Sequence, residues 1–386
     1  MSKAEKRPLE NSTDAVAAAL LERAAPESSR YEDLVIVPIF AVVAALVLGA
    51  LTMLATEVEP ATIVKSYVAL VRGSLGSMNA LSETLTAATP LVLAGLGMAL
   101  GFRAGLFNIG AEGQVLVGGM AAAIAGFSLP GMPMFLHLPL ALLAGALAGA
   151  LYASIAGWLK ASTGAHEVIT TIMLNLSSYL LIDYMLRLSW IQRPGRSDPI
   201  SNSVLSSAEL PRLLSWIDPN LRVHGGLFLM LVLVAFVYWL LFKSTLGFEF
   251  RASGESPDAA RYAGMRANLI IVTVMALAGA LAGLAGANQV LGVLGRVSPG
   301  FSAGIGFNAI SVALLGRSHP IGVLVAGLLF GALEAGGRQM QVDAGVSLDL
   351  ISIIQALIIA FIAAPLLVRA IFPWGFRRSA RRTSKE

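Results

Sequence analysis

Runs of about twenty apolar residues recur along this chain, and no other feature constrains its fold as tightly. An α-helix rises 1.5 Å per residue, so roughly 20 apolar residues cover the hydrocarbon core of a bilayer. The first run, Leu34 to Leu54, contains no charged residue. It is too long for the core of a signal peptide and follows an acid-rich segment, so it reads as a retained span. Ten such runs are expected, at 34–54, 81–101, 105–127, 137–158, 165–188, 223–242, 268–290, 301–316, 319–336 and 348–368. The pair 301–316 and 319–336 is short and parted only by Gly316-Arg317-Ser318. Broken or re-entrant segments are expected there, since irregular backbone survives at membrane depth when it is buried or lines a cavity. The fold class is therefore an all-α polytopic membrane protein with about ten transmembrane helices.

Composition supports this reading and closes others. Of the 386 residues 56% are hydrophobic and 13% charged, against about 25% charged in soluble domains. A soluble enzyme, a disordered chain and a nucleic-acid-binding module are excluded. Threading ten spans with both termini cytoplasmic places 18 Lys and Arg inside and 8 outside, as the positive-inside rule requires. The chain then divides into a cytoplasmic segment 1–33, a transmembrane domain 34–370 and a basic cytoplasmic tail 371–386. Within the domain, a long external loop spans 189–222 and a cytoplasmic loop spans 243–267. In the latter, Ser256-Pro257-Asp258 reads as a helix start and Gly264 as its end.

No catalytic motif accompanies the spans. There is no G-x-x-x-x-G-K-[ST], G-x-S-x-G or H-E-x-x-H, no cysteine, and no two of the four histidines share a helical turn. The chain is not expected to be an enzyme or to hold a metal. Any ATP-driven function needs a separate ATPase that binds the ATP and magnesium.

Polar groups at membrane depth each need a reason, because insertion costs about 2.5–3.5 kcal/mol for a charged one. The densest set lies in Gly101-Phe102-Arg103-Ala104-Gly105-Leu106-Phe107-Asn108-Ile109-Gly110-Ala111-Glu112-Gly113-Gln114. Four glycines loosen this backbone, and Asn108, Glu112 and Gln114 offer groups suited to hydroxyls or ring nitrogens. Two readings stand: these residues line a solute pathway, or Glu112 pairs with Arg103 or caps a helix. Asn175, the pair Asn288-Gln289, and Asn308 are further candidates. A lone amide in a span more often joins helices by hydrogen bonds. The pairs Gly97/Gly101, Gly145/Gly149, Gly279/Gly283 and Gly327/Gly331 have the spacing of close helix packing and say little about a solute.

The segment GFRAGLFNIGAEGQ (101–114) resembles the signature of permease subunits of ABC importers. The branch is the one served by basic-membrane-protein-type lipoproteins and associated with nucleosides or simple sugars. HEVITTIMLNLSSYLL (166–181), TLGFEFRASGESPDAARYAGM (245–265) and GFNAISVALLGRSHPIGVLVAGLLFGAL (306–333) match the same pattern in order. Ser253 departs from it, standing where a valine-like residue is expected, and residues 1–33 fall outside it. The resemblance implies a fold related to ribose and branched-chain amino-acid permeases in a bacterial inner membrane. It implies a pathway between two permease subunits, with 245–265 as the helix that engages a cytoplasmic ATPase. Arg251, Gly254, Glu255, Ala260, Arg261 and Gly264 fall in that segment. The long loop resembles that of the longer permease of a heterodimer, and a binding lipoprotein would deliver the solute on its side. The pathway residues would be Asn108, Glu112, Gln114, Asn175 and Asn308. A nucleoside is the first expectation for the solute and a sugar such as ribose the second. An ion-gradient-driven secondary transporter is the rival mechanism.

Overall fold

The computed structural model describes residues 37–363. The elements run α1 (Val37–Ala55), α2 (Pro60–Leu75), α3 (Met78–Arg103), α4 (Ala111–Ser128), α5 (Met134–Thr163), α6 (Glu167–Leu186) and α7 (Gly226–Lys243), then α8 (Thr245–Glu255), α9 (Pro257–Tyr262), α10 (Ala267–Gln289), α11 (Ile305–Leu315), α12 (Pro320–Ala344) and α13 (Asp349–Ala363). Among the described residues the regular structure is helical, and strand pairing is limited to two isolated bridges. Among the described residues six segments are long and apolar enough to cross a membrane: α3, α5, α6, α7, α12, and α10 together with the π-helical turn Val290–Leu294 that extends it. This is a multi-pass membrane protein. Residues 53–355 form one compact unit; the remainder, described over 37–52 and 356–363, forms another.

Local chemistry sets the helix ends. Ser77, Ser244 and Ser256 cap α3, α8 and α9, each hydroxyl accepting the N–H three residues on. Pro257 and Pro320 occupy first-turn positions, where a missing N–H costs nothing. The helix expected after Ser256 is present. Two features depart from the sequence reading. Residues 60–75 form a helix although Lys65 and Arg72 interrupt their apolar run, and the run 105–127 becomes helical only at Ala111.

In the larger unit α3 is buried along almost its whole length, so it is the central element. Helix α12 lies against α3 and α2, and α10 lies between α4 and α5. This last packing is a backbone-to-backbone approach. A Cβ at Gly283 would collide with the Gly145 carbonyl and the Gly149 Cα, and one at Gly118 would collide with Gly283. Only glycine permits helix axes this close.

The long loop is ordered. Ile191, Val204, Ala208 and Leu210 are buried with Met120, Leu291, Val297 and Phe301. Backbone bonds from Leu205 to Gly126, Val204 to Gly295 and Leu210 to Leu291 pin it down. His137 fastens it further, its Nδ1 bonding Ser207 Oγ at 2.8 Å and its Nε2 the Ala125 carbonyl at 3.0 Å.

At the loop's end His224 is buried and accepts the Gly226 N–H on Nδ1 at 3.2 Å.

Candidate functional site

The first candidate site lies where α3 gives way to α4. Gly105 adopts φ +70°, closing a turn in which Leu106 N–H bonds the Gly101 carbonyl at 2.9 Å. Asn108 then organises the start of α4. Its Oδ1 accepts from Gly110 N–H at 3.1 Å, and its amide pairs reciprocally with that of Gln114 through two 3.0 Å bonds. Asn175, reaching in from α6, accepts the Gly113 N–H and donates to the Ile109 carbonyl, both at 2.8 Å. Asn108, Glu112, Gln114 and Asn175 are all buried.

Glu112 occupies the centre. Its Oε1 accepts from Ser302 Oγ at 2.5 Å and from Tyr179 Oη at 3.1 Å, while its Oε2 accepts the Gly306 N–H at 2.8 Å. Gly306 lies in the first turn of α11, which has no side-chain cap of its own. The Glu112 carboxylate supplies that cap from another helix, and the partial positive charge of a helix N-terminus favours an anion there. Close packing enforces the geometry, since a Cβ at Gly306 would overlap the Glu112 backbone. Of the two structural readings of Glu112, helix capping is the one seen; Arg103 instead donates to the carbonyls of Ser318 and Arg317. Four predicted residues, Asn108, Glu112, Gln114 and Asn175, thus meet in one junction. Asn308 stands apart on α11, half-buried, its amide without a hydrogen-bond partner among the described residues. Asn288 is buried with neither amide atom paired among the described residues, and Asp183 and Glu334 pair with Arg187 and Arg338. Sequence reasoning missed Tyr179, Ser302 and Gly306, which lie 67 to 194 residues from Glu112; no local spacing links them.

The second candidate is the helix pair α8–α9. Gly254 sits directly on the turn after α3: a Cβ there would overlap the Arg103 carbonyl and reach Ala104 C and Gly105 N at 2.9 Å. Arg251 and Arg103 approach the Phe242 ring at 5.4 and 5.9 Å, in cation–π range. A cavity of about 450 Å³ opens here, lined by Phe102, Arg103, Phe248, Arg251, Gly254 and Glu255 among others. Ala260 faces inward and is buried, whereas Glu255, Arg261 and Gly264 are exposed. Arg261 pairs with Asp258 at 3.7 Å, and Gly264 ends the segment at φ +84°. The two sites are contiguous in the chain: Gly254 rests on residues 103–105, and the buried junction begins at Asn108.

Comparison with known proteins adds to this geometry. A family model described as branched-chain amino acid transport system / permease component matches residues 80–363. The guanosine ABC transporter permease protein NupP of Bacillus subtilis is 39% identical over 335 residues, covering 86% of this chain and 94% of that protein. A glucose ABC transporter permease protein of Haloferax volcanii is 38% identical over 331 residues, 84% of this chain and 86% of its own. The nucleoside ABC transporter permease protein NupB of Lactococcus lactis is 36% identical over 343 residues, 88% and 93% of the two chains. A second guanosine permease of Bacillus subtilis, NupQ, is 28% identical over 262 residues, 65% of this chain and 79% of that protein. No solved structure matches.

Proposed function

The chain belongs to the permease-component family of branched-chain amino acid transport systems, and from that premise we propose that it is the membrane-spanning subunit of an ATP-driven ABC importer for nucleosides. It crosses the bacterial inner membrane about ten times, with both termini, segment 1–33 and tail 371–386 in the cytoplasm and the domain 34–370 between them. A binding lipoprotein delivers solute near loop 189–222. A second, related permease completes the pathway; the similarity to both NupP and NupQ of one organism supports this pairing. A cytoplasmic ATPase, holding the ATP and magnesium, engages α8–α9.

One observation carries the mechanism: Gly254 is seated on the turn at 103–105 that leads into the Glu112 junction. Force applied to α8–α9 reaches that turn through backbone contact, with no flexible side chain between. Asn108, Gln114 and Asn175 hold the start of α4, Glu112 holds the start of α11, and Asn308 is presented to the solute. Movement of the turn then shifts the wall of the pathway.

Arg251, Gly254, Glu255, Ala260, Arg261 and Gly264 divide the coupling work. Gly254 and Ala260 seat the segment, Gly264 ends it, and the exposed Glu255 and Arg261 meet the ATPase through charge-assisted contacts. Glu255→Arg combined with Arg261→Glu is expected to lower solute uptake more than tenfold while ATP hydrolysis continues. Proteoliposomes containing the whole assembly would report both rates, and normal uptake would remove the coupling role.

The nucleoside itself is tested by uptake of labelled guanosine or adenosine in cells with and without this chain. Loss on deletion, with competition by nucleosides alone, supports the reading. Competition by glucose or ribose would favour the sugar reading, which the Haloferax volcanii relative supports. Uptake that survives ATP depletion but collapses with the ion gradient would replace the ABC mechanism.

A further inference from the structure

At the end of α3 opposite Arg103, three elements bring charged groups around one cavity that the transport reading leaves unused. The cavity holds about 390 Å³ and is lined by Arg72 of α2, by Ser77, Asn79 and Glu83 at the start of α3, and by Arg338 and Gln339 of α12, among others. Two of its charged lining residues are cations and one, Glu83, is an anion. The Glu83 carboxylate is already engaged, by Arg222 at 3.2 Å and Arg338 at 3.4 Å. Arg338 also lies 3.8 Å from Glu334, and Gln339 donates to Asp343 at 2.8 Å. Arg72 is exposed, and its guanidinium has no hydrogen-bond or ion-pair partner among the described residues. Beside it the Ser77 hydroxyl accepts the Ala80 N–H at 3.1 Å, which leaves the hydroxyl hydrogen to donate.

A second cavity, a groove of about 670 Å³, opens along α2 from this point. Val64, Tyr67, Val68, Val71 and Leu75 line it, and Arg72 and Gly76 line both spaces. Val64, Val68, Val71 and Leu75 are all exposed, and their spacing of four, three and four puts them on one helix face. Helix α2 follows α12 in the same sense, with Leu70 against Gly336 and Gly73 against Gln339. By that register Val64 is level with Phe330, close to the middle of α12, which is long enough to cross a membrane. From Leu75 back to Val64 the groove therefore descends about 16 Å, roughly half of the hydrocarbon core. An exposed apolar face alone needs no specific occupant, because lipid tails cover it. This one differs in ending at an unpaired guanidinium, where it meets a cavity of net positive lining.

We propose that groove and cavity together hold one anionic phospholipid, its phosphate at Arg72, Arg338 and the Ser77 hydroxyl and an acyl chain along residues 64–75. The fit is one of both charge and length. A phosphatidylglycerol headgroup carries one negative charge, which the cavity's excess cation balances, and guanidinium matches phosphate geometry. A zwitterionic headgroup would bring its own cation among the arginines. One acyl chain spans one leaflet, as the groove does, and the leaflet is the outer one in the topology proposed above. The site is independent of which solute the transporter moves.

The test is native mass spectrometry of the full chain, delipidated in detergent and then supplied with equal amounts of phosphatidylglycerol and phosphatidylcholine. The unmodified chain is expected to retain phosphatidylglycerol about fivefold or more over phosphatidylcholine, the scale of one guanidinium against an anionic lipid. Arg72→Gln, which breaks no described bond, is expected to abolish that preference, and Val68→Trp, which fills the groove, to lower retention of both lipids. Arg187→Gln, on α6, is the control and should keep the preference. Equal retention of the two lipids by the unmodified chain would overturn the proposal, as would a preference that survives in Arg72→Gln. A phosphatidylglycerol with a photoreactive acyl chain, incorporated in nanodiscs with the unaltered chain, gives an answer if the variants fail to fold. Labelling within 64–75 supports the site, and labelling only elsewhere overturns it. The chain has no cysteine, so Val68→Cys can carry a single benzophenone. Its cross-linking to protein in cell membranes would show that a partner chain covers the groove instead, and would overturn the lipid assignment.

Discussion

Replacing Glu112 with alanine is expected to destabilise the permease by about 3–5 kcal/mol, the combined cost of leaving its buried donors without an acceptor. Three donors lose their acceptor at once: the Ser302 hydroxyl, the Tyr179 hydroxyl and the Gly306 N–H. Ser302 and Gly306 are buried and gain no water in exchange, and each buried unsatisfied group costs about 1–3 kcal/mol. Glu112→Gln should fall between, at about 2 kcal/mol. The glutamine oxygen can serve Ser302 and Tyr179, but its NH2 then faces the Gly306 N–H, donor against donor. Thermal unfolding of the detergent-purified protein checks the ordering: unmodified chain, then Gln, then Ala. Equal midpoints for all three would mean that the carboxylate does not hold α11.

Gly254→Ala is expected to have the second large effect, on coupling more than on stability. The added methyl would meet the Arg103 carbonyl and the backbone of Ala104 and Gly105. These are main-chain atoms with no rotamer to change, so α8 must lift from the turn. Overpacking of this kind costs about 1–3 kcal/mol, which the chain can bear. The seat that transmits force is altered, however, and uptake is expected to fall tenfold or more while ATP hydrolysis in the assembled transporter persists. Ser253→Ala, one residue earlier and buried, adds no atoms at this contact and serves as the control. Unchanged uptake in Gly254→Ala would show that α8–α9 does not act through residues 103–105.

How far the sequence speaks is visible residue by residue. Long uncharged runs announce α1, α5 and α10 because burying them in lipid dominates every local preference. Ser256-Pro257 announces α9 because capping is a short-range interaction. Helix α2 is obscured by Lys65 and Arg72, which break its apolar run without breaking the helix. The expected span 301–316 shrinks to the eleven residues of α11, since Gly300, Ala303 and Gly304 take positive φ and hold the preceding stretch out of the helix. At the junction, residue type at membrane depth was enough to single out Asn108, Glu112, Gln114 and Asn175. Their partners were hidden because the bonds to Ser302 and Gly306 close loops of about 190 residues. Order in the loop 189–222 was hidden for the same reason: its buried residues find Leu291, Val297 and Phe301, which lie far along the chain.

The glycine seam of α10 also bears on how the chain is made. Helices α4 and α5 leave the ribosome well before α10, yet the groove that Gly118, Gly145 and Gly149 form is filled by Gly279, Gly283 and Ala287 of that later helix. At roughly 5–20 residues per second, the hundred or so residues between α5 and α10 correspond to several seconds or more of synthesis. During that interval the groove is open to lipid, and the half-finished bundle lacks its tightest contact. A nascent chain arrested before residue 267 therefore lacks this seam, and lesions in α10 would be felt as a failure of biogenesis before any solute is moved.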